Sequence, residues 1–354
     1  MIMANEKTLE IRVYDRNMMR KGVIENERSL LWVRKYFEPG TFEMHAPLTD
    51  QNLQLLVEDN LIAYEGSVEA GTIEEVRYTE NFDLNEIVVK GRFLSSYLDR
   101  RLIRSTVNFS GKVEVAMRQL VSGVTAIPLL ELGDLKGYTS TVRFQATMKN
   151  LLDYEKKLAS SSNLGFRCRP DFSAKKIYFE VYQGTDRTTG QNVASRVTFS
   201  EEYENLNSAD YIYNSQIYKT LAVVGGQGEG SDRVYVEVGG GSGLDLREVF
   251  VDAKDIRQDK LTDAEYKEAL RQRGLETLAK DALSVSLTSE TRPDVNFTYK
   301  KDYDLGDIVT VQKTSWGLKS YQRITEIQEV YENKRMKVVP TFGSPLPEAV
   351  KWED

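Results

Sequence analysis

Apolar and polar residues alternate with a period of two in stretch after stretch of this chain, and that period suits little except sheet with one buried face. Leu9, Ile11 and Val13 alternate with Glu10, Arg12 and Tyr14. "SLLWVRKYF" and "FEMHA" follow, separated by Glu38-Pro39-Gly40-Thr41. Proline presets the second position of a turn and glycine suits a positive φ at the third, so a type II turn joining two antiparallel strands is expected. "NLIAYEG", "GTIEEVRYTE" and "NEIVVKGRF" continue the series between short polar or glycine breaks. The N-terminal region is therefore expected to form a small antiparallel sheet curled into a barrel.

The period then lengthens. Phe93, Leu94, Tyr97, Leu98, Arg101 and Leu102 recur at helical spacing, as do Val113, Ala116, Met117 and Leu120. "MKNLLDYEKKLASSSN" reads as a further amphipathic helix, and "GFRCRPDFSAKKIYFEVYQG" as strand in its second half. These segments form an α/β insert. Strand patterns return in "SRVTFS" and "DYIYNSQIYKTLAVV". One well-signed helix starts near Thr262, where Thr262 and Glu265 have the spacing of a capping box, and Leu261 and Tyr266 that of a hydrophobic staple. Its apolar face would use Tyr266, Ala269, Leu270 and Leu278. "ALSVSLTS", "GDIVTVQ", "YQRITEIQEVYEN" and "KRMKVVPTF" close the chain with strands. The expected fold class is mainly β with an α/β insert: two small antiparallel β-barrel domains, the second interrupted by a helix.

Between two apolar runs lies "AVVGGQGEGSDRVYVEVGGGSGLDL", which suggests a phosphate-cradling loop at first sight. Gly225, Gly226, Gly228, Gly230, Gly239, Gly240, Gly241 and Gly243 contain no set with the dinucleotide spacing, and Ser231-Asp232 stands where a Walker loop needs lysine and a hydroxyl. Val234, Val236 and Val238 alternate strictly, so a strand follows and no helix N-terminus is there to hold a phosphate. The glycines are expected to join β elements, as an inter-domain or inter-subunit loop where backbones cross closely.

Little in the composition supports chemistry. The only cysteine, Cys168, excludes an internal disulfide framework and a cysteine metal cluster. His45, the only histidine, alternates with Phe42, Met44 and Ala46 and reads as the outward position of a strand. Glu74-Glu75 and Glu201-Glu202 are adjacent, so on strands their members would face opposite sides. No cofactor or metal is expected. A net charge of −7 with interspersed signs lacks the basic face of a DNA binder. No apolar run approaches the ~18 residues a spanning helix needs, and the N-terminus lacks a signal-peptide pattern, so no stable membrane insertion is expected. Nineteen tyrosines are present, several in exposed-looking strands and loops. Tyr211, Tyr213, Tyr218 and Tyr303 are candidate interface aromatics, because tyrosine offers stiff contact area with a polar tip.

"SLLWVRKYFEPGTFEMHAP", "NLIAYEGSVEAGTIEEVRY" running into "VVKGRFLSSYLDRRLI", then "YDLGDIVTV", "RITEIQEVYEN" and "VVPTFG" together resemble the siphovirus ReqiPepy-type tail proteins, which belong with phage baseplate hubs and tail-associated proteins. The resemblance spans nearly the whole chain. It implies a homotrimeric structural hub at the virion tail tip, assembled in the host cytoplasm, with two barrels per chain giving a pseudo-sixfold ring. Its implied partners are the distal tail protein ring, the tape measure protein and receptor-binding or fibre proteins, with DNA met only in passage through a central channel. By this analogy the first barrel covers 1–107 and is completed by 191–224, the insert covers 108–190, the second barrel covers 225–345 with its helix near 262–280, and 346–354 is a tail. Three acidic chains around a conduit would disfavour DNA adhesion. Relatives with long C-terminal hydrolase or receptor-binding extensions differ from this sequence, which ends soon after its last strand. Two other classes stay open at this stage: a tail-associated peptidoglycan hydrolase working through paired carboxylates, and a carbohydrate-binding adhesin using the tyrosine-rich loops.

Overall fold

The computed structural model describes residues 9–343 apart from 83, 207, 260, 290 and 292–295, so the 346–354 tail lies outside the described residues. With 43% strand and 19% helix the class is mainly β, as the alternation predicts. Most strands join one long sheet. Its spatial order runs Arg20–Ile24, Ile11–Tyr14, Leu61–Tyr64, Gly71–Glu80, Asn85–Phe93, Thr41–Pro47 and Ser29–Lys35, then Leu318–Glu332, Arg335–Gly343, Ser284–Thr288 and Asp210–Asn214. Ile308–Lys313 and Thr198–Ser200 branch from Leu318–Glu332.

The N-terminal lobe curls because its apolar residues must share one core. Ile11 and Val13 lie several strands from Trp32 in the pairing order, yet all three are buried in the same cluster with Phe42, Met44, Ile62 and Phe93. Trp32 sits at its centre, with ring centroids 4.4 Å from Phe93 and 5.5 Å from Tyr64. A second core, built on Phe199, Tyr303, Ile327 and Phe342, lies under the C-terminal strands.

The two lobes meet by strand pairing. Ser29–Lys35 and Leu318–Glu332 run antiparallel from Ser29 opposite Glu332 to Lys35 opposite Glu326. The register of Leu318–Glu332 shifts between Ile324 and Glu326, where the long strand changes neighbour from Ile308–Lys313 to Ser29–Lys35. A bulge adds the bend that such an exchange needs. Among the described residues no closed barrel is present: the pairing path is open, ending at Arg20–Ile24 and Asp210–Asn214. Within 191–224, Thr198–Ser200 pairs with the strand Ile308–Lys313 and Asp210–Asn214 with Ser284–Thr288, so both belong to the C-terminal lobe and not to the first. Periodicity marks a strand but does not name its partner.

Leu221–Gly225 joins neither lobe. It pairs with Tyr235–Gly239 and Glu248–Asp252 in a separate small sheet, on which the helix Asp263–Lys280 packs through Tyr266, Ala269 and Leu270. The capping box is present, with Thr262 Oγ1 accepting from the Glu265 amide and Glu265 reaching back to Thr262. The insert holds the helices Val113–Gly123 and Leu151–Ser162 and three short sheets, and its core is continuous with Tyr14, Leu61, Leu94 and Leu98 of the N-terminal lobe. Both halves of "GFRCRPDFSAKKIYFEVYQG" are strand, Gly165–Asp171 paired with Lys176–Tyr182.

The expected type II turn is absent. Tyr36–Gly40 is an irregular bend, and Gly40 is not in the positive-φ region. Glycine is needed there for closeness, because a Cβ would collide with the Val33 carbonyl and the Phe93 ring.

Candidate assembly surfaces

Where the lobes join, alternation sends Leu30, Trp32 and Arg34 inward from one strand, while Glu329 points inward from its neighbour. Arg34 and Glu329 are fully buried. Arg34 Nε donates to Glu69 at 3.1 Å, and its Nη1 donates to Asp304 at 2.6 Å and to Tyr299 Oη at 2.8 Å. Glu329 accepts from Tyr299 at 2.7 Å, from Tyr331 at 3.1 Å and from Tyr64, with Lys300 Nζ at 3.1 Å. Burial alone would lower the Arg34 guanidinium, yet Tyr299, Asp304, Glu69 and Glu329 raise it well above its ordinary value. For Glu69 burial wins and raises the carboxyl despite Arg34. A network of this kind adds little net stability but specifies geometry, since any other docking leaves charges buried without partners.

On the opposite, open face of the same strands the charges are half-exposed. His45 Nε2 lies 3.0 Å from Glu43 and its Nδ1 3.2 Å from Glu86, which also pairs with Arg28 at 3.0 Å. Lys90 pairs with Glu43 at 3.0 Å, and Arg92 with Glu74 at 2.9 Å and Asp99 at 3.1 Å. Hydrogen bonds from His45 and Lys90 hold the Glu43 carboxyl below the usual carboxylate range. His45 is thus an outward ion-pair member, as its position in the alternation predicts. No group of His, Cys, Asp and Glu among the described residues could hold a metal ion.

Both carboxylate pairs differ from expectation. A bulge at Glu74 breaks the alternation of Gly71–Glu80, so Glu74 and Glu75 line the same shallow depression with Glu43 and Lys90. Glu201 and Glu202 lie in a turn and not on a strand, and both reach the Thr314–Trp316 segment: Glu201 meets Lys313 and Ser315, Glu202 meets Thr314. Each carboxylate of these pairs except Glu75 has a cationic or hydroxyl partner in these contacts, and no second carboxylate faces either pair across a cleft in the manner of a glycosidase.

The glycines all belong to the small sheet and its loops. Gly225 and Gly239 end strands, Gly226, Gly228, Gly240 and Gly241 lie in connecting loops, and Gly230 and Gly243 open short 3-10 turns. Gly239 has φ +93°, and a Cβ there would collide with the Thr220 carbonyl. The glycines therefore join β elements within one module.

Among the tyrosines, Tyr211 and Tyr213 stand exposed on the edge strand Asp210–Asn214, Tyr213 at 60%. Tyr218 is half-buried beneath the Arg247 guanidinium. Tyr303 is not at the surface: it is 1% exposed and packs edge-on against Phe199 at 5.1 Å, a core residue placed by a segment that crosses the C-terminal sheet. A further cluster was missed. Tyr235 and Phe250 are 52% and 56% exposed on the outer face of the small sheet and flank Arg233, which pairs with Asp252 at 2.6 Å. The signal was present, because Val234, Val236 and Val238 facing inward oblige Tyr235 to face out.

Comparison with known proteins fits these observations. Three solved tail proteins share the fold over almost their full length. One from Neisseria meningitidis MC58 has a TM-score of 0.61 at 13% identity, covering 96% of this chain and 97% of that one. The 43 kDa tail protein of prophage MuSo2 from Shewanella oneidensis has 0.58 at 10%, covering 94% and 98%. The prophage tail protein gp18 from Listeria monocytogenes EGD-e has 0.57 at 13%, covering 96% of each. No curated protein matches the sequence. The siphovirus ReqiPepy6 Gp37-like family matches residues 10–344, and the chain belongs to that family.

Proposed function

We propose that this protein is a non-enzymatic structural hub of a phage tail tip, in which three copies form a ring around a channel. Its work is assembly: it adapts a sixfold tail to the tip, contacts the distal tail protein ring and receptor-binding or fibre proteins, and surrounds the path taken by the tape measure protein and DNA. One observation carries the reading. A single sheet runs through two lobes side by side, locked at Ser29–Lys35 and Leu318–Glu332 by a buried charge network. Each chain so built offers two comparable sheet units to a ring, and three chains offer six. The open face supports the channel, because His45, Lys90, Arg28 and Arg92 there are each paired with carboxylates, which leaves DNA phosphates few free cations to hold. The edge strand Asp210–Asn214, with Tyr211 and Tyr213, and the Arg233–Tyr235–Phe250 face are the surfaces suited to neighbouring subunits.

Native mass measurement of the purified protein, together with particle images, tests the reading. The expected result is a mass three times that of the chain and a threefold particle with a central hole. A monomer that remains monomeric with its tail partners present and cleaves peptidoglycan in a zymogram would overturn it.

A further inference from the structure

A cleft of about 740 Å³ opens between the helix Leu151–Ser162 and the last turn of Asp263–Lys280, and Phe37, Thr325 and Glu326 lie at its base. The insert, the glycine-rich module and the long sheet thus meet around one cavity, within the usual size of small-molecule sites. Its charged groups are unequally satisfied. Lys35 and Lys156 both pair with Glu38, at 2.8 and 3.2 Å. Glu276 lines the wall at 4% exposure, and neither of its carboxylate oxygens accepts a hydrogen bond. Arg273 Nε stands 3.8 Å away, while both terminal nitrogens of that guanidinium donate to Asp255 at 3.2 Å. A buried acceptor left empty in this way calls for a missing donor.

The cleft carries four lysines and four carboxylates, so it draws neither anions nor cations from a distance. Burial pushes the Glu276 carboxyl up, with Arg273 and Lys157 opposing, and pushes the Lys157 ammonium down. Both groups are driven toward their neutral forms, which favours a neutral partner able to donate and accept at once. Sugar hydroxyls have that property. A peptide backbone has it too, but it binds best by extending a free strand edge. The strands that line the cleft, Ser284–Thr288 and Leu318–Glu332, are paired on both sides.

We propose that this cleft binds a short neutral oligosaccharide, with Glu276 accepting from two adjacent hydroxyls while Lys157 and Lys280 donate to sugar oxygens and Phe37 meets an apolar ring face. The site is independent of the ring reading, since every group in it comes from one chain.

Saturation-transfer NMR on the full chain with maltotriose, cellotriose and tri-N-acetylchitotriose, beside a mixture of hexapeptides, tests it. At least one trisaccharide is expected to bind at millimolar concentration. Glu276→Gln and Lys157→Met should each weaken that binding by about tenfold or more, with unchanged thermal melting and oligomeric mass, whereas Glu43→Gln on the open sheet face should leave it intact. The proposal falls if none of the sugars binds, if both cleft variants bind as the parent does, or if the hexapeptides bind in preference to the sugars. Oligomeric mass is read on the same samples, so failure here is separable from failure of the trimer.

Discussion

The two faces of the central strands carry the same residue types and opposite energetics. On the core face, Arg34, Lys300, Glu69, Asp304 and Glu329 lie where water is largely excluded, and each leans on the others. On the open face, Glu43, His45, Lys90, Glu86 and Arg28 form a ladder of similar distances in contact with solvent. Coulomb attraction scales inversely with the effective dielectric, and so does the penalty for stripping a partner away. Charge on this sheet therefore acts as a lock on one side and as a neutral coat on the other.

The largest expected effect breaks the lock. Arg34→Ala leaves Glu69 and Asp304 without their guanidinium and should cost about 3–5 kcal/mol, read as a lowered midpoint in urea with unchanged m-value. Arg34→Met combined with Glu69→Leu should cost clearly less than the two single changes added, since it removes both charges together. A loss under about 1 kcal/mol for Arg34→Ala would place this network with ordinary surface pairs and remove its role in joining the lobes.

Glu155 sharpens the comparison by showing a buried carboxylate with no lock at all. It lies fully buried on the helix Leu151–Ser162, neither oxygen has a hydrogen-bond partner, and burial alone raises its pKa well above the ordinary value. The folded chain thus keeps a proton that the unfolded chain loses near pH ~4.3. The stability linked to Glu155 is fully present below that pH and is lost as pH rises toward the native pKa. Glu155→Met should stabilise the protein at pH 7 by about 1–3 kcal/mol and flatten the decline above pH ~4.3. Parallel pH profiles of the two proteins would refute this.

These contrasts were partly legible beforehand. Alternation in "SLLWVRK" already puts Arg34 on the side of Leu30 and Trp32, so a charge facing the core could be read directly. Its partners could not, because Asp304 and Glu329 are brought close by a pairing between opposite ends of the chain, and a strand pattern does not encode its neighbour. For the same reason the periodicity located nearly every strand, while the closed barrels and the placing of 191–224 went astray. Tyr303 failed differently: polar neighbours in "KKDYDLGD" suggest exposure, but the segment crosses the C-terminal core. In the cleft, Glu276 looked like one more charge on a helix surface, because only the packing of a second helix against it makes it buried.

The smallest expected effect lies on the open face. A double-mutant cycle over Glu43→Ala and Lys90→Ala should give a coupling of about 0.2–1 kcal/mol, although their 3.0 Å separation is no longer than the 3.1 Å between Arg34 and Glu69. Both side chains are about a third or more exposed, so water already solvates each charge when its partner is gone. The coupling should shrink further as salt shortens the Debye length toward ~3 Å at 1 M, while the Arg34–Glu69 coupling should hardly move. Acid acts in the same direction: His45 and Lys90 hold the Glu43 carboxyl low, so its contribution is present above pH ~4.3 and fades as pH falls through the native value. A salt-insensitive coupling of several kcal/mol would mean that this face is shielded from solvent in the assembled particle, the condition expected of a surface pressed against another subunit and not of a channel wall.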